Sequence, residues 1–326
     1  MFSVLEVIGE ASAELINKPS ELFGEGNSMH LLAKRVDVTV GGLHTLSQHC
    51  QIAVTGRDSI GMTPLHRLCL NASVRLDTLQ LLGDLEPASV KVADHHGMTP
   101  LHVLLEGPET ITAEAMTPMA EALTRLNPLG LLVPDKTGRT ALHILTEGSR
   151  ITLNGCRSMA ETGGANSIGL QDARGATPIH NCASSRHVTL PMLQALVMER
   201  PEALAIQDEG GATVLHRLIE NKHLLKRPER EFTAILQFVV QSCPSAVGLK
   251  NKITNKGKLV DHQTAVSALC ERPILTVEFL TVLLIARRSA AHVADARKCR
   301  PWTAISRRPD LSVDGKISLR NELEKY

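Results

Sequence analysis

Five copies of one short motif, spaced almost evenly, constrain this chain more than any other feature. Residues 61–66 and 97–102 both read GMTPLH, and GRTALH (138–143), GATPIH (175–180) and GATVLH (211–216) follow. The histidines stand 36, 41, 37 and 36 residues apart. A catalytic motif has no reason to recur at a fixed interval, whereas stacked supersecondary units do. His30 in NSMHLL is a weaker copy 36 residues upstream, and QTAVSALC (263–270) and PWTAISRR (301–308) continue the series with Ser267 and Ser306 in the histidine's place. About eight units result.

An aspartate precedes each glycine by three residues: Asp58, Asp94, Asp135, Asp172 and Asp208 stand before Gly61, Gly97, Gly138, Gly175 and Gly211. Asp bonds its own backbone in turns and Gly accepts positive φ, so D-x-x-G marks a tight hairpin tip. The threonine that follows can cap a helix, and Pro64, Pro100 and Pro178 suit its first position, where no N–H is needed. Beyond the histidine come a short apolar helix such as RLCLNA, a polar break, and a second helix such as LDTLQLLGDL (76–85). A unit of hairpin, helix, turn, helix cannot enclose its apolar faces alone; stacking must cover them.

The D-x-x-G-x-T-P-L-H pattern closely resembles the ankyrin repeat, over roughly residues 28–310. The resemblance implies an all-α fold: a helix-turn-helix solenoid with short hairpin loops and about eight units. It also implies that each histidine bonds the threonine of its own motif and neighbouring backbone, and that tips and first helices line a face where protein partners dock. One departure is the exit from the second helix, which reads EPASV (86–90), RPEAL (200–204) and CPSAV (243–247) instead of Gly-Ala. The expected organisation is a capping helix and linker at 1–27, the array at 28–310 with insertions near 106–118, 221–231 and 250–262, and a tail or cap at 311–326.

Composition agrees with thin aliphatic layers, since five Phe, one Tyr and one Trp are too few to fill most large cores. The longest apolar run, 279–286, falls well short of the roughly 20 residues that span a membrane. The opening stretch MFSVLEVIGEASAEL carries Glu6, Glu10 and Glu14 and no early Lys or Arg, unlike secretory or mitochondrial leaders. Seven scattered cysteines without a CxxC pair suit reduced thiols in the cytoplasm or nucleus.

Histidine chemistry is weighed against histidine packing. His66, His102, His143, His180 and His216 occupy one place in successive units, which makes a ladder rather than a cluster that could share an ion. His95 and His96 are adjacent and could chelate, but no third ligand is visible and a solvated turn is the simpler reading. No nucleotide-binding, nucleophile-elbow or zinc-protease motif occurs, and the termini are too short for a catalytic domain. The expectation is a non-enzymatic scaffold or adaptor with no catalytic residue, cofactor or metal.

Partner contact is expected at the variable tip residues: Ile60, Met62, His95, His96, Met98, Lys136, Arg139, Arg174 and Glu209. Ile60, Met62 and Met98 are apolar where a turn is normally polar, which suits either an anchor patch or side chains packed onto the helices. Leu70, Asn71, Glu106, Glu147, Ser184, Ser185, Glu220 and Asn221, at the first-helix ends, are expected on the same face. Charge is uneven: residues 1–220 hold 16 Lys/Arg against 24 Asp/Glu, and 221–310 hold 16 against 7. Lys250, Lys252, Lys256 and Lys258, with the later run Arg287, Arg288, Arg297, Lys298, Arg300, Arg307 and Arg308, could draw nucleic acid or an anionic membrane instead. A solvated loop is the plainer reading of the lysines, and no interleaved aromatics offer a base-stacking platform.

Overall fold

In a computed structural model, residues 26–49, 52–251, 253–255, 258–261, 264–272, 275–286 and 300–325 are described. The expected capping helix at 1–27 lies almost entirely outside them. Helices come in pairs. Repeat 1 joins α1 (Ser28–Ala33) to α2 (Val40–His49), and a single turn, α3 (Ile52–Thr55), leads to repeat 2, α4 (Pro64–Cys69) and α5 (Leu76–Leu85). Repeat 3 is α6 (Pro100–Glu106) with α7 (Ala113–Leu126), and repeat 4 is α8 (Ala141–Glu147) with α9 (Leu153–Gly169), broken at Gly164 where φ is +59°. Repeats 5 and 6 are α10 (Pro178–Ser184) with α11 (Leu190–Val197) and α12 (Val214–Glu220) with α13 (Glu229–Ser242). Repeats 7 and 8 are α14 (Ala265–Cys270) with α15 (Val277–Ala286) and α16 (Pro301–Ser306) with α17 (Val313–Glu324).

Contacts divide the chain into two compact units, Met1–Ser167 and Ile168–Tyr326. Within the first, α1, α4, α6 and α8 pack in series, with α2, α5 and α7 alongside. Within the second, α10, α12, α14 and α16 pack in series, with α11, α13, α15 and α17 alongside. Leu65, Leu68, Leu79, Leu82, Leu104 and Leu123 fill the layers of the first unit, and Leu193, Leu215, Leu218 and Leu236 those of the second. Each fully buried leucine contributes roughly 1.5–3 kcal/mol of transfer free energy. In the second unit Phe232 and Phe279 meet edge to face, 4.8 Å between centroids. Trp302, in repeat 8, lies under the Arg320 guanidinium, 5.4 Å from the ring centroid.

The unusual exits are single 3-10 turns at Pro87–Lys91, Pro128–Leu132, Pro201–Ala205 and Pro244–Gly248. Each opens on a proline and buries the aliphatic residue three positions later: Val90, Leu131, Leu204 and Val247. The proline fixes the entry and the aliphatic side chain fastens the turn to the layer.

Two insertions differ from the expected loops. Residues 107–112 do form a turn, but from Ala113 onward the segment is already α7, which accommodates Pro118 in its second turn. At 250–262 the chain makes a small antiparallel ribbon, β1 (Ile253–Asn255) with β2 (Lys258–Asp261), and Lys250 bridges to Thr264 beside it.

Candidate functional site

Each tip is tied by its aspartate. Asp58 Oδ1 accepts the N–H groups of Ile60 (3.0 Å) and Met62 (2.9 Å), and the Gly61 N–H donates to the Asp58 carbonyl at 3.0 Å. Gly97 and Gly175 show why glycine closes the turn: φ is +79° and +71°, and a Cβ would lie 2.9 Å from the Lys136 nitrogen and 2.7 Å from that of Glu209. The close approach lets tips bond to one another. His95 N–H donates to the Ile60 carbonyl and Lys136 N–H to that of His96 in the first unit; Glu209 N–H donates to the Arg174 carbonyl in the second, all at 2.9 Å.

Below the tip, threonine and histidine form a reciprocal cap. His66 Nδ1 accepts the Thr63 N–H at 3.1 Å and lies 2.8 Å from its hydroxyl, while Nε2–H donates to the Met98 carbonyl of the next repeat at 3.0 Å. His180 repeats this toward the Ala212 carbonyl at 3.1 Å. Burial drives the His66 pKa down to about 4, and burial likewise lowers those of His30, His102 and His180. At His66 and His180 both ring nitrogens are engaged, which leaves no lone pair for a metal. The weak copy at His30 works the same way, accepting the Asn27 N–H at 3.2 Å and reaching the Met62 carbonyl at 2.9 Å. In repeat 7, where serine replaces histidine, the Ser267 N–H donates to Thr264 Oγ1 at 3.3 Å.

A second set of inter-repeat bonds was not expected from the sequence. Asn71 Nδ2 donates to the carbonyls of Ala33 (2.8 Å) and Arg35 (2.7 Å), and Asn221 Nδ2 to those of Ala183 (2.8 Å) and Ser185 (2.9 Å). Arg150 reaches the carbonyls of Leu105 and Gly107 at 2.8 Å and of Pro108 at 3.1 Å. Arg227 and Arg308 serve the turns before them in the same way. These side chains satisfy carbonyls orphaned where the preceding first helix ends.

Among solved structures the chain is similar to the ankyrin repeat domain of Bcl-3, described as a unique member of the IkappaB protein family. The match has 19% identity and a TM-score of 0.54, and covers 78% of this chain and 96% of that one. The fold is that of ankyrin repeats. No family model and no curated protein matches the chain.

The ankyrin tips sort the expected contact residues. In the first unit His95, His96 and Lys136 are exposed and Ile60 is 37% exposed, on tips linked by the backbone bonds above. Met62 corrects the sequence reading: at 8% exposure its side chain is buried beneath the tip. Met98 is half-buried. Arg139 is committed within the fold, its guanidinium paired with Asp135 (3.0 Å), Glu106 (3.2 Å) and Glu147 (3.6 Å). In the second unit Arg174 and Glu209 are exposed on adjacent tips. Asn71, Asn221 and Ser185, expected on the open face, are buried, the two asparagines as the caps just described.

Of the basic residues, Lys250 is exposed, its carbonyl accepting from Gln207 Nε2 at 2.9 Å. Lys252 and Lys256 lie outside the described residues, as do Arg287, Arg288, Arg297 and Lys298; Lys258 is described only as backbone of β2. Arg300 and Arg307 are exposed, whereas Arg308 is buried. The five described cysteines are buried and none is in a disulfide, and burial pushes the thiols of Cys156 and Cys270 up to about 12. Among the described residues no group of three His, Cys, Asp or Glu could hold a metal, and no helix is long and apolar enough to cross a membrane.

Proposed function

We propose that this chain is a non-enzymatic protein-binding scaffold or adaptor whose partner docks on the ankyrin tips and the adjoining side of the first helices. The supporting observation is a division of labour within each tip. Asp, Gly, Thr and His recur and are consumed in backbone bonds, while the residues between them are exposed and chemically different: Ile60, then His95 and His96, then Lys136, and in the second unit Arg174 and Glu209. A face that varies from tip to tip suits one protein segment better than a uniform polymer. Buried thiols outside any disulfide, as at the five described cysteines, fit a reducing setting, cytoplasmic or nuclear.

Affinity capture from the native source, read by mass spectrometry, tests this with Ile60→Asp and His96→Asp combined. The expected result is loss of the captured partner with helicity unchanged. Undiminished capture would remove the tips from the interface.

A further inference from the structure

Three of the five tips complete their aspartate with an arginine. In repeat 2, Arg67 Nε donates to Asp58 Oδ2 at 2.6 Å; in repeat 6, Arg217 Nε donates to Asp208 Oδ2 at 3.1 Å. Both arginines directly follow the motif histidine. Repeat 4 delivers its arginine from the position after the glycine, Arg139 Nε reaching Asp135 Oδ2 at 3.0 Å. In repeat 3 both positions are apolar, Val103 and Met98.

Asp94 nevertheless builds the same turn, its Oδ1 accepting the N–H groups of His96 (2.7 Å) and Met98 (2.9 Å). Its Oδ2 therefore faces the place that a guanidinium fills in the sibling tips. That oxygen is buried and has no hydrogen-bond partner among the described residues, a condition that holds for no other tip aspartate. Arg57 passes nearby but gives Nη1 to the Ala93 carbonyl at 3.3 Å. A buried carboxylate oxygen without a donor is costly, and native structures rarely leave one.

We infer that Asp94 is a socket for an arginine side chain of the partner protein, which makes in trans the ion pair that Arg67 and Arg217 make in cis. Charge favours a cation over a neutral amide, because the orphaned atom belongs to a buried carboxylate and a hydrogen bond between charged partners is the stronger one. Geometry favours arginine over lysine, since the siblings use the planar fork to reach this oxygen. Met98, flexible and half-buried, can yield to admit it. The inference rests on the tips being the docking surface and adds the chemistry of the residue received there.

The test is amide NMR on the full chain titrated with the peptide acetyl-Gly-Arg-Gly-amide, with its citrulline counterpart as the neutral control. The arginine peptide is expected to move the His96 and Met98 amides saturably, leaving those of Ile60 and Met62 on the already paired Asp58 in place; the citrulline peptide should move neither. Val103→Arg, patterned on Arg67, should abolish the response, and Met98→Arg, patterned on Arg139, offers a second route to the same result. Arg67→Val should create a new response at the Asp58 tip. Equal shifts from both peptides, no saturable shift at Asp94, or a response surviving both arginine substitutions would overturn the socket. Partner capture that survives Val103→Arg but fails in the Ile60 and His96 double variant would also overturn it, while leaving the docking surface intact.

Discussion

His66 donates its Nε2–H to the carbonyl of Met98, 3.0 Å away and 32 residues further along, so the side chain that caps one repeat also pins the tip of the next. His66→Ala removes both attachments and leaves a buried carbonyl and a helix N-terminus unsatisfied. We expect a loss of about 2–4 kcal/mol in denaturant unfolding, from a cap and an orphaned polar group together. A stability equal to wild type would show the imidazole to be dispensable to the stack.

The same burial makes the stack sensitive to acid. In the unfolded chain the imidazole takes a proton near 6.5, whereas folded His66 resists protonation until about 4. Between these values the unfolded state binds more protons, so stability is complete above pH 6.5 and falls as the pH drops toward 4. His30, His102 and His180 shift in the same direction and add to the slope. Urea midpoints at a series of pH values check this; a flat profile across that window would contradict neutral, buried imidazoles.

Arg150 stitches a turn rather than a tip. Arg150→Lys keeps the charge but loses the fork that reaches the carbonyls of Leu105, Gly107 and Pro108, and should cost about 1–3 kcal/mol. Faster hydrogen exchange around 105–112, with the C-terminal unit unchanged, is the expected signature.

Gly175→Ala places a Cβ 2.7 Å from the Glu209 nitrogen at a backbone φ of +71°. The left-handed conformation and the lost tip-to-tip bond together predict a penalty of about 2–3 kcal/mol. Thermal melting of this variant against Gly164→Ala, where the added carbon meets nothing within 4 Å, separates crowding from φ alone.

Partner binding through the tips should weaken only modestly as salt rises, because the exposed tip residues mix Ile60 and His95 with single charges. A steep salt dependence would shift the interface to the basic segment around Lys250 instead.

What was legible in the sequence was local and repeated. Asp58, Gly61, Thr63 and His66 act on one another within nine residues, so spacing alone conveys their geometry, and the recurrence confirms it. Met62 and Ile60 could not be told apart because both are apolar at one tip; Ile60 precedes the positive-φ Gly61 and stays 37% exposed, whereas Met62 follows it, where the chain turns into the helix, and is buried. Asn71 and Asn221 each stand five residues after their histidine, a recurrence that could have exposed them as caps. Arg150 left no such trace, since its partners lie 42 to 45 residues back across an irregular turn. The insertion expected near 106–118 ends on Pro118, yet the helix begins before it and carries it in its second turn.

The solitary indole has a practical corollary. Trp302 sits under Arg320 in repeat 8, so tryptophan fluorescence senses events at that terminus and is nearly blind to the three repeats that carry Ile60, Asp94 and Arg150. Should the N-terminal repeats unravel first, ellipticity would fall while tryptophan emission held steady, and an optical assay relying on that one indole would report an intact molecule.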